Sequence, residues 1–234
     1  MDNWYINIFN NKHNLPVSQF MELHDVKNRF LYPYFPTIII DDFYEDCDII
    51  RHFALQQEFY KGDRGNWPGL RTTLLHELNY DFFQIFLKKI LFILKDYGIT
   101  KIERLETGFQ LTDENYGNGW VHDDDPQDQV AGVIYLNNDA PLGSGTCIYK
   151  DCNDHNGEFF KDLFEQDVNQ TDEIDSNKFE KYRKDQRSKF DTDIVIESKF
   201  NRFIMFDTRN WHSAENFFGK GKDARLTQVF FVKI

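Results

Sequence analysis

The stretch of sequence that decides the fold reads Trp120-Val121-His122-Asp123-Asp124-Asp125. We predict a strand over residues 119–124, and side chains on a strand alternate between its two faces. His122 and Asp124 therefore share one face, where an imidazole and a carboxylate can hold two adjacent positions on one metal ion. The stretch alone is a weak signal, because a hydrogen-bonded pair with a structural role has the same spacing.

A second histidine, His212, strengthens the case for a metal site. It lies in the segment 210–214, between two further predicted strands. Two histidines and one carboxylate are the ligand set that holds Fe(II) on one face and leaves three coordination positions open. The sequence therefore indicates a candidate iron site formed by His122, Asp124 and His212.

The predicted C-terminal strand, 225–233, carries polar groups on an otherwise apolar face, because Arg225 and Thr227 alternate inward. Burying a guanidinium and a hydroxyl is costly without a partner. A bound carboxylate would satisfy both groups. Tyr135, on the predicted strand 130–137, could donate its hydroxyl to the same carboxylate. The alternative for Arg225 is a buried ion pair within the protein.

The order of the elements predicts an α+β protein that is mainly β. Helices are expected from Glu45 onward and over residues 79–97, after a short strand at 37–40. The later strand candidates are 102–111, 119–124, 130–137, 145–150, 192–197, 201–206 and 225–233. Short strands that follow a pair of helices predict a sandwich or barrel backed by helices.

We interpret residues 1–234 as one domain with two parts. Residues 1–100 form a helical support region, and residues 101–234 form the β core with an insertion at about 151–190. The charged cluster at residues 178–189 in this insertion is interpreted as a solvated helix face. A lid that closes over substrate is the alternative.

The composition limits the classes of function. The chain has 234 residues, with 39 acidic and 27 basic side chains and a formal net charge of −12. Affinity for nucleic acid depends largely on Lys and Arg, so a nucleic-acid partner is not expected. The three cysteines form no even framework, and neither a signal peptide nor a membrane span is visible. We therefore expect a cytoplasmic protein without membrane association.

Trp67 and Arg71 flank a Pro-Gly turn signal between the two predicted helices. One interpretation is a loop that packs on the helices. The other is a substrate-facing loop at the mouth of a pocket, since loops on a rigid scaffold often carry recognition.

Taken together, these motifs resemble the 2-oxoglutarate- and Fe(II)-dependent oxygenase superfamily, most closely its prolyl-hydroxylase-like branch, which has bacterial and phage members. The resemblance covers roughly residues 102–234. It rests on residues 117–124, 133–137, 143–146, 201–207, 211–214 and 225–227, in the family's order. It implies a double-stranded β-helix, or jelly-roll, core.

The resemblance also implies the chemistry. Iron would be held by His122, Asp124 and His212, and 2-oxoglutarate by Arg225 with help from Thr227 and Tyr135. The family uses Fe(II), 2-oxoglutarate and O₂, releases succinate and CO₂, and hydroxylates a C–H bond; ascorbate is expected as a stimulant. The substrate class is a protein, a peptide or a small molecule.

Two departures and two alternatives accompany this interpretation. The interval between Asp124 and His212 is 212 − 124 = 88 residues, longer than compact relatives need. Several relatives carry a Tyr ten residues before the first His, where this chain has Thr112. The alternative to an enzyme is a jelly-roll module that retains a metal or carboxylate site without catalysis. An oxygenase acting on a small metabolite or on nucleic acid is a further alternative.

Overall fold

The computed structural model describes residues 34–61, 67–124, 127–150 and 184–234. Features that we predict for residues 1–33, for Asp125 and for residues 151–183 of the insertion lie outside this part of the chain. Within the described ranges, no helix combines the length and the hydrophobicity that crossing a membrane requires.

In the described part of the chain, three α-helices precede the main strands: α1 (Cys47–Leu55), α2 (Leu75–Leu78) and α3 (Tyr80–Lys95). The side chain of Asp46 accepts a hydrogen bond from the Ile49 N–H and begins α1. Asn79 does the same for α3 through the Phe82 N–H, at 3.0 Å. Both caps satisfy backbone donors that a helix N-terminus leaves unpaired. The two predicted helices are confirmed to within a few residues.

The strands form two antiparallel sheets. They are β1 (Ile38–Ile40), β2 (Leu70–Arg71), β3 (Arg104–Thr112), β4 (Val130–Tyr135), β5 (Thr146–Tyr149), β6 (Thr192–Ile196), β7 (Phe203–Asp207), β8 (His212–Ala214) and β9 (Arg225–Lys233). The larger sheet has the order β1-β7-β4-β9-β3-β2, and the smaller sheet has the order β6-β5-β8. Strands from before and after the insertion therefore alternate in the smaller sheet and in the larger sheet from β1 to β3.

The predicted strand over residues 119–124 is wrong. The backbone there forms a single isolated bridge, between His122 and His212. The sequence also missed two short strands, β2 inside the predicted turn at Trp67–Arg71 and β8 around His212. All three segments are too short to show a period of their own, so only pairing with distant strands defines them.

The six-stranded sheet separates two apolar layers. On one face, Phe203 and Phe230 stack with their ring centroids 5.3 Å apart, and Phe86 of α3 meets Phe230 edge-on. On the other face, Ile204 and Ala131 pack against the smaller sheet. The predicted arrangement, a mainly β core of facing sheets backed by N-terminal helices, is confirmed.

Candidate metal centre

The two candidate histidine ligands are paired through their backbones. The N–H of His122 donates to the carbonyl of His212 at 3.0 Å, and the N–H of His212 donates back to the carbonyl of His122 at 2.8 Å. Residues that face each other in such a pair direct their side chains to the same side. The imidazole centroids are accordingly 4.3 Å apart.

Asp124 completes the group. Its N–H donates to the carbonyl of Thr208, just after β7, at 3.0 Å. Its two carboxylate oxygens lie 3.8 Å from Nε2 of His122 and 3.6 Å from Nε2 of His212. The ligand atoms of all three residues lie within 4.8 Å of one another. This donor set suits a non-haem iron ion bound on one face.

The protonation of both imidazoles is fixed by the backbone. Nδ1 of His122 bonds to the carbonyl of Trp120, and Nδ1 of His212 bonds to the carbonyl of Asn210, each at 2.9 Å. A carbonyl only accepts, so each Nδ1 donates and each Nε2 keeps its lone pair for a metal.

The His212 ring is buried, whereas His122 is exposed, so the group opens to one side only. Burial lowers the pKa of His212 to about 4, although the carboxylate of Asp124 raises it in part. The neutral imidazole that burial favours is the form that binds a metal ion.

Arg225 and Thr227 form a polar patch inside the jelly roll. Arg225 is 5% exposed, and burial lowers its pKa. Its Nε donates to the Ser144 carbonyl at 3.3 Å, and none of the described carboxylates forms an ion pair with it. The buried Thr227 hydroxyl has no hydrogen-bond partner among the described residues. A buried cation that bonds to the Ser144 carbonyl and the Tyr135 hydroxyl, but to none of the described carboxylates, fits the far carboxylate of 2-oxoglutarate, as does the unsatisfied Thr227 hydroxyl.

Tyr135 lies beside this patch, because it pairs with Thr227 across β4 and β9. The Arg225 guanidinium carbon is 5.4 Å from the Tyr135 ring centroid. The Tyr135 hydroxyl donates to the Thr146 hydroxyl at 2.7 Å. Its predicted donation to a bound carboxylate would therefore replace an existing hydrogen bond.

The structure brings Trp67 and Arg71 together at a cavity of about 320 Å³. The Arg71 guanidinium lies over the Trp67 ring, 4.2 Å from its centroid. Burial lowers the pKa of Arg71 to about 10, and the carboxylate of Asp124 acts in the opposite direction. The negative charge of Asp124 therefore stabilises the protonated form of Arg71. A substrate-facing role for the two residues stays a prediction.

Two residues that support the candidate metal centre were missed in the sequence. The Gln186 side chain accepts from the N–H of Val121 at 3.1 Å and donates to the carbonyl of Val121 at 2.7 Å. Nη2 of Arg187 donates to the carbonyls of Gly119 and Ala214, at 3.0 and 2.7 Å. Part of the segment interpreted as a solvated helix face thus holds the backbone beside both histidines. No local pattern indicates this, since each contact spans tens of residues.

Comparisons with known proteins agree with this architecture. Residues 32–231 match a family model described as a family of unknown function (DUF6445). No curated protein sequence matches the chain.

The chain is similar in structure to HygX from Streptomyces hygroscopicus, solved with nickel, 2-oxoglutarate and hygromycin B bound. The TM-score is 0.53, at 9% identity over 89% of this chain and 87% of HygX. HygX with only nickel and 2-oxoglutarate bound gives 0.52, again at 9% identity over 89% and 87%. A Pseudomonas putida prolyl-4-hydroxylase gives 0.48, at 13% identity over 84% of this chain and 91% of that one.

The HygX comparisons establish the fold, and the resemblance seen in the sequence is confirmed at that level. The grouping of His122, Asp124 and His212 agrees with it. The chain has the jelly-roll fold of 2-oxoglutarate/Fe(II) oxygenases, and by the match over residues 32–231 it belongs to the DUF6445 family.

Proposed function

We propose that the protein is an Fe(II)- and 2-oxoglutarate-dependent dioxygenase that hydroxylates a C–H bond. The observation that carries the proposal is the convergence of His122, Asp124 and His212, with both Nε2 atoms available and the ligand atoms within 4.8 Å. A fold shared with a protein solved with 2-oxoglutarate and a metal supports it.

Each part of the site has a role in this proposal. The triad residues would hold iron, which would supply the redox chemistry that couples O₂ and 2-oxoglutarate to C–H oxidation. Arg225 and Thr227 bind the far carboxylate of 2-oxoglutarate and fix its direction. The buried side chains of Ile204 and Phe206 line the space between the sheets and exclude water from it.

The substrate belongs to the same proposal. A peptidyl prolyl residue, another protein side chain and a small molecule are the candidates, with succinate and CO₂ as products. Thr112, at the position where several relatives carry a tyrosine, is buried, and its hydroxyl contacts the Pro68 carbonyl at 3.4 Å. This hydroxyl is therefore engaged with the turn before β2.

The test is turnover by the purified protein supplied with Fe(II) and 2-oxoglutarate, with and without ascorbate. Succinate is measured first without substrate and then against a panel of peptides and metabolites, in which a product gains the mass of one oxygen atom. We expect succinate formation that depends on iron and is abolished in His212→Ala and His122→Ala.

Two outcomes would contradict the proposal. If iron and 2-oxoglutarate bind but 2-oxoglutarate is never consumed, the protein is a binding module. If His212→Ala keeps full turnover, His212 is not a ligand.

A further inference from the structure

The cavity at Trp67 and Arg71 has a chemical character that points to a class of substrate. Aromatic rings of Tyr60, Trp67 and Phe231 form much of its wall, and Gly108 in β3 and Val229 in β9 contribute the sheet surface. Arg71 is the cationic residue of the lining. The cavity therefore offers an apolar, flat-sided volume with a positive charge on its wall.

The strand register places this charge on the same sheet face as the 2-oxoglutarate patch. Thr227 pairs with Gln110, Gln110 pairs with Arg71, and Arg71 forms a bridge with Tyr60. Arg225 lies at the next inward position along β9, opposite Thr112. One strand, β3, therefore lies between Arg71 and Arg225, and one ligand carboxylate cannot occupy both positions.

Among the described residues, no carboxylate forms an ion pair with Arg71. Nη2 donates to the neutral amide oxygen of Gln110 at 3.2 Å, and the buried Nε has no hydrogen-bond partner among the described residues. The two acidic residues of the cavity are engaged elsewhere. Glu106 pairs with Arg104 at 3.3 Å, and Glu77 approaches His76 at 3.8 Å.

Stacking on Trp67 offsets part of the cost of desolvating the Arg71 guanidinium. It provides no hydrogen-bond acceptor for the buried Nε. A planar fork of this kind matches a carboxylate, which accepts two parallel hydrogen bonds.

We propose that Arg71 binds a carboxylate of the substrate, and that the substrate is an acidic compound whose apolar or aromatic body fills this cavity. The inference rests on the proposed function, because it names the substrate class of the same centre. Arg71 lies on the same sheet face as Arg225 and Thr227, so a carboxylate bound there lies on the side of the sheet where 2-oxoglutarate is proposed to bind.

Calorimetric titration of the metal-free protein tests the carboxylate site without requiring turnover. The ligands are benzoate and benzamide, which share an aromatic ring and differ in charge. The protein used in this titration carries the substitution Arg225→Gln, so that the 2-oxoglutarate patch cannot bind the carboxylate of benzoate. We expect this variant to bind benzoate and not benzamide. Adding Arg71→Gln should weaken benzoate binding about tenfold or more, as expected for loss of a hydrogen bond to a charged group.

Further variants keep the test decisive. Arg71→Lys retains the charge without the planar fork and should keep part of the affinity, whereas Lys199→Gln removes an exposed charge elsewhere and should change nothing. If Arg225→Gln does not fold, the unsubstituted protein should bind two benzoates, and Arg71→Gln should bind one.

Equal binding of benzoate and benzamide, or benzoate binding that survives Arg71→Gln, overturns the inference. Turnover assays separate it from the proposed function. Arg71→Gln should leave the KM for 2-oxoglutarate unchanged. A raised KM for 2-oxoglutarate would assign Arg71 to the cosubstrate instead. If the unsubstituted protein consumes no 2-oxoglutarate, the proposed function is overturned. The calorimetric titration then still decides whether Arg71 binds a carboxylate.

Discussion

At the scale of single residues, the direction of the imidazoles is set by the backbone. Each Nδ1 bonds to the carbonyl two residues earlier, at Trp120 and at Asn210. Because the acceptor is a carbonyl, the orientation of each ring does not depend on which side chain stands at positions 120 and 210. The histidine ligands are thus preorganised by the same hydrogen-bond geometry on two different segments.

Replacing Arg225 should separate cosubstrate binding from stability. In Arg225→Ala we expect the KM for 2-oxoglutarate to rise about 100-fold, since a charged pair with a carboxylate is lost. The free energy of unfolding of the cosubstrate-free protein should fall little, because the change removes a buried cation that forms no ion pair with the described carboxylates. Steady-state kinetics and denaturant unfolding measure the two effects. An unchanged KM would show that Arg225 does not hold the cosubstrate.

Removing the Thr227 hydroxyl should also raise the KM for 2-oxoglutarate, but by less than the loss of Arg225. Thr227→Val keeps the shape of the side chain and removes only the unsatisfied hydroxyl, so we expect the KM for 2-oxoglutarate to rise about fivefold to tenfold. The exposed Thr192 in β6 provides the matched control, Thr192→Val. Equal kinetics for the two variants would show that the Thr227 hydroxyl makes no contact with the cosubstrate.

Some of the site residues could be predicted from the sequence, because residues with related chemistry stand close together in it. His122 and Asp124 are two residues apart, and Arg225 and Thr227 share one face of a long strand. Gln186 carries no such sign, because an amide becomes a backbone partner only through a fold that brings it to Val121, 65 residues away. The same holds for Arg71, whose relation to Asp124 depends on the pairing of β2 with β3.

At the scale of elements, the Gln186 side chain takes the place of a neighbouring strand. Its amide bonds to both backbone groups of Val121, as a strand residue would, immediately before the ligand His122. The segment that carries His122 has one bridge on its other side, to His212. The position of this ligand therefore depends on a side chain from the far end of the insertion.

Gln186→Ala should weaken metal binding more than it weakens the fold. Two buried backbone groups lose their partners, at about 1–3 kcal/mol each. We expect a roughly tenfold or greater loss of Mn(II) affinity in a calorimetric titration. Gln186→Glu keeps the acceptor for the Val121 N–H, so its Mn(II) affinity should lie between those of the unsubstituted protein and Gln186→Ala. Ser188→Ala, an exposed change in the same segment, is the control. Unchanged Mn(II) affinity in Gln186→Ala would rule out this positioning role.

Gly132 should be essential to the packing of β4. A Cβ there would lie 2.0 Å from the Ile204 carbonyl oxygen and 2.6 Å from Phe230 Cζ. Gly132→Ala should therefore lower the free energy of unfolding by ~3 kcal/mol or more.

The control for this change is Gly98→Ala. Gly98 has a φ of +79° and nothing within 4 Å of a Cβ, so it reports the backbone cost alone, about 1–2 kcal/mol. Denaturant unfolding of both variants is the measurement. A Gly132→Ala protein as stable as Gly98→Ala would contradict the close approach of β4 and β7.

The predicted elements differ from the observed ones where pairing, rather than periodicity, defines the structure. The helix over 79–97 and the strands 102–111 and 225–233 have long apolar patterns and were found within a few residues. The segment at 119–124 has strand-like residues but is held by the Gln186 amide and one bridge, so it forms no ladder.

At the scale of the whole molecule, the metal ligands join two parts of the chain that are remote in sequence. His122 and Asp124 precede the insertion and His212 follows it, so only the folded protein presents all three. A metal ion that binds the folded state alone stabilises it by about 2.7 kcal/mol at 100 times its Kd.

Adding Mn(II) should therefore raise the melting temperature of the protein, and a chelator should reverse the rise. His212→Ala should lose most of this response while keeping a similar metal-free melting temperature. Differential scanning calorimetry provides the measurement. If Mn(II) does not change the melting temperature of the unsubstituted protein, the three residues do not form a metal site.

The alternation of strands from before and after the insertion also bears on how the protein is made. β7 lies between β1 and β4, β9 lies between β4 and β3, and β5 lies between β6 and β8. A nascent chain that ends before β7 therefore leaves β1 and β4 without a neighbouring strand, and it lacks one of the three ligands. The three candidate metal ligands can come together only after synthesis has passed β8. Under the proposed function, chains truncated before that point would lack the oxygen-activating centre.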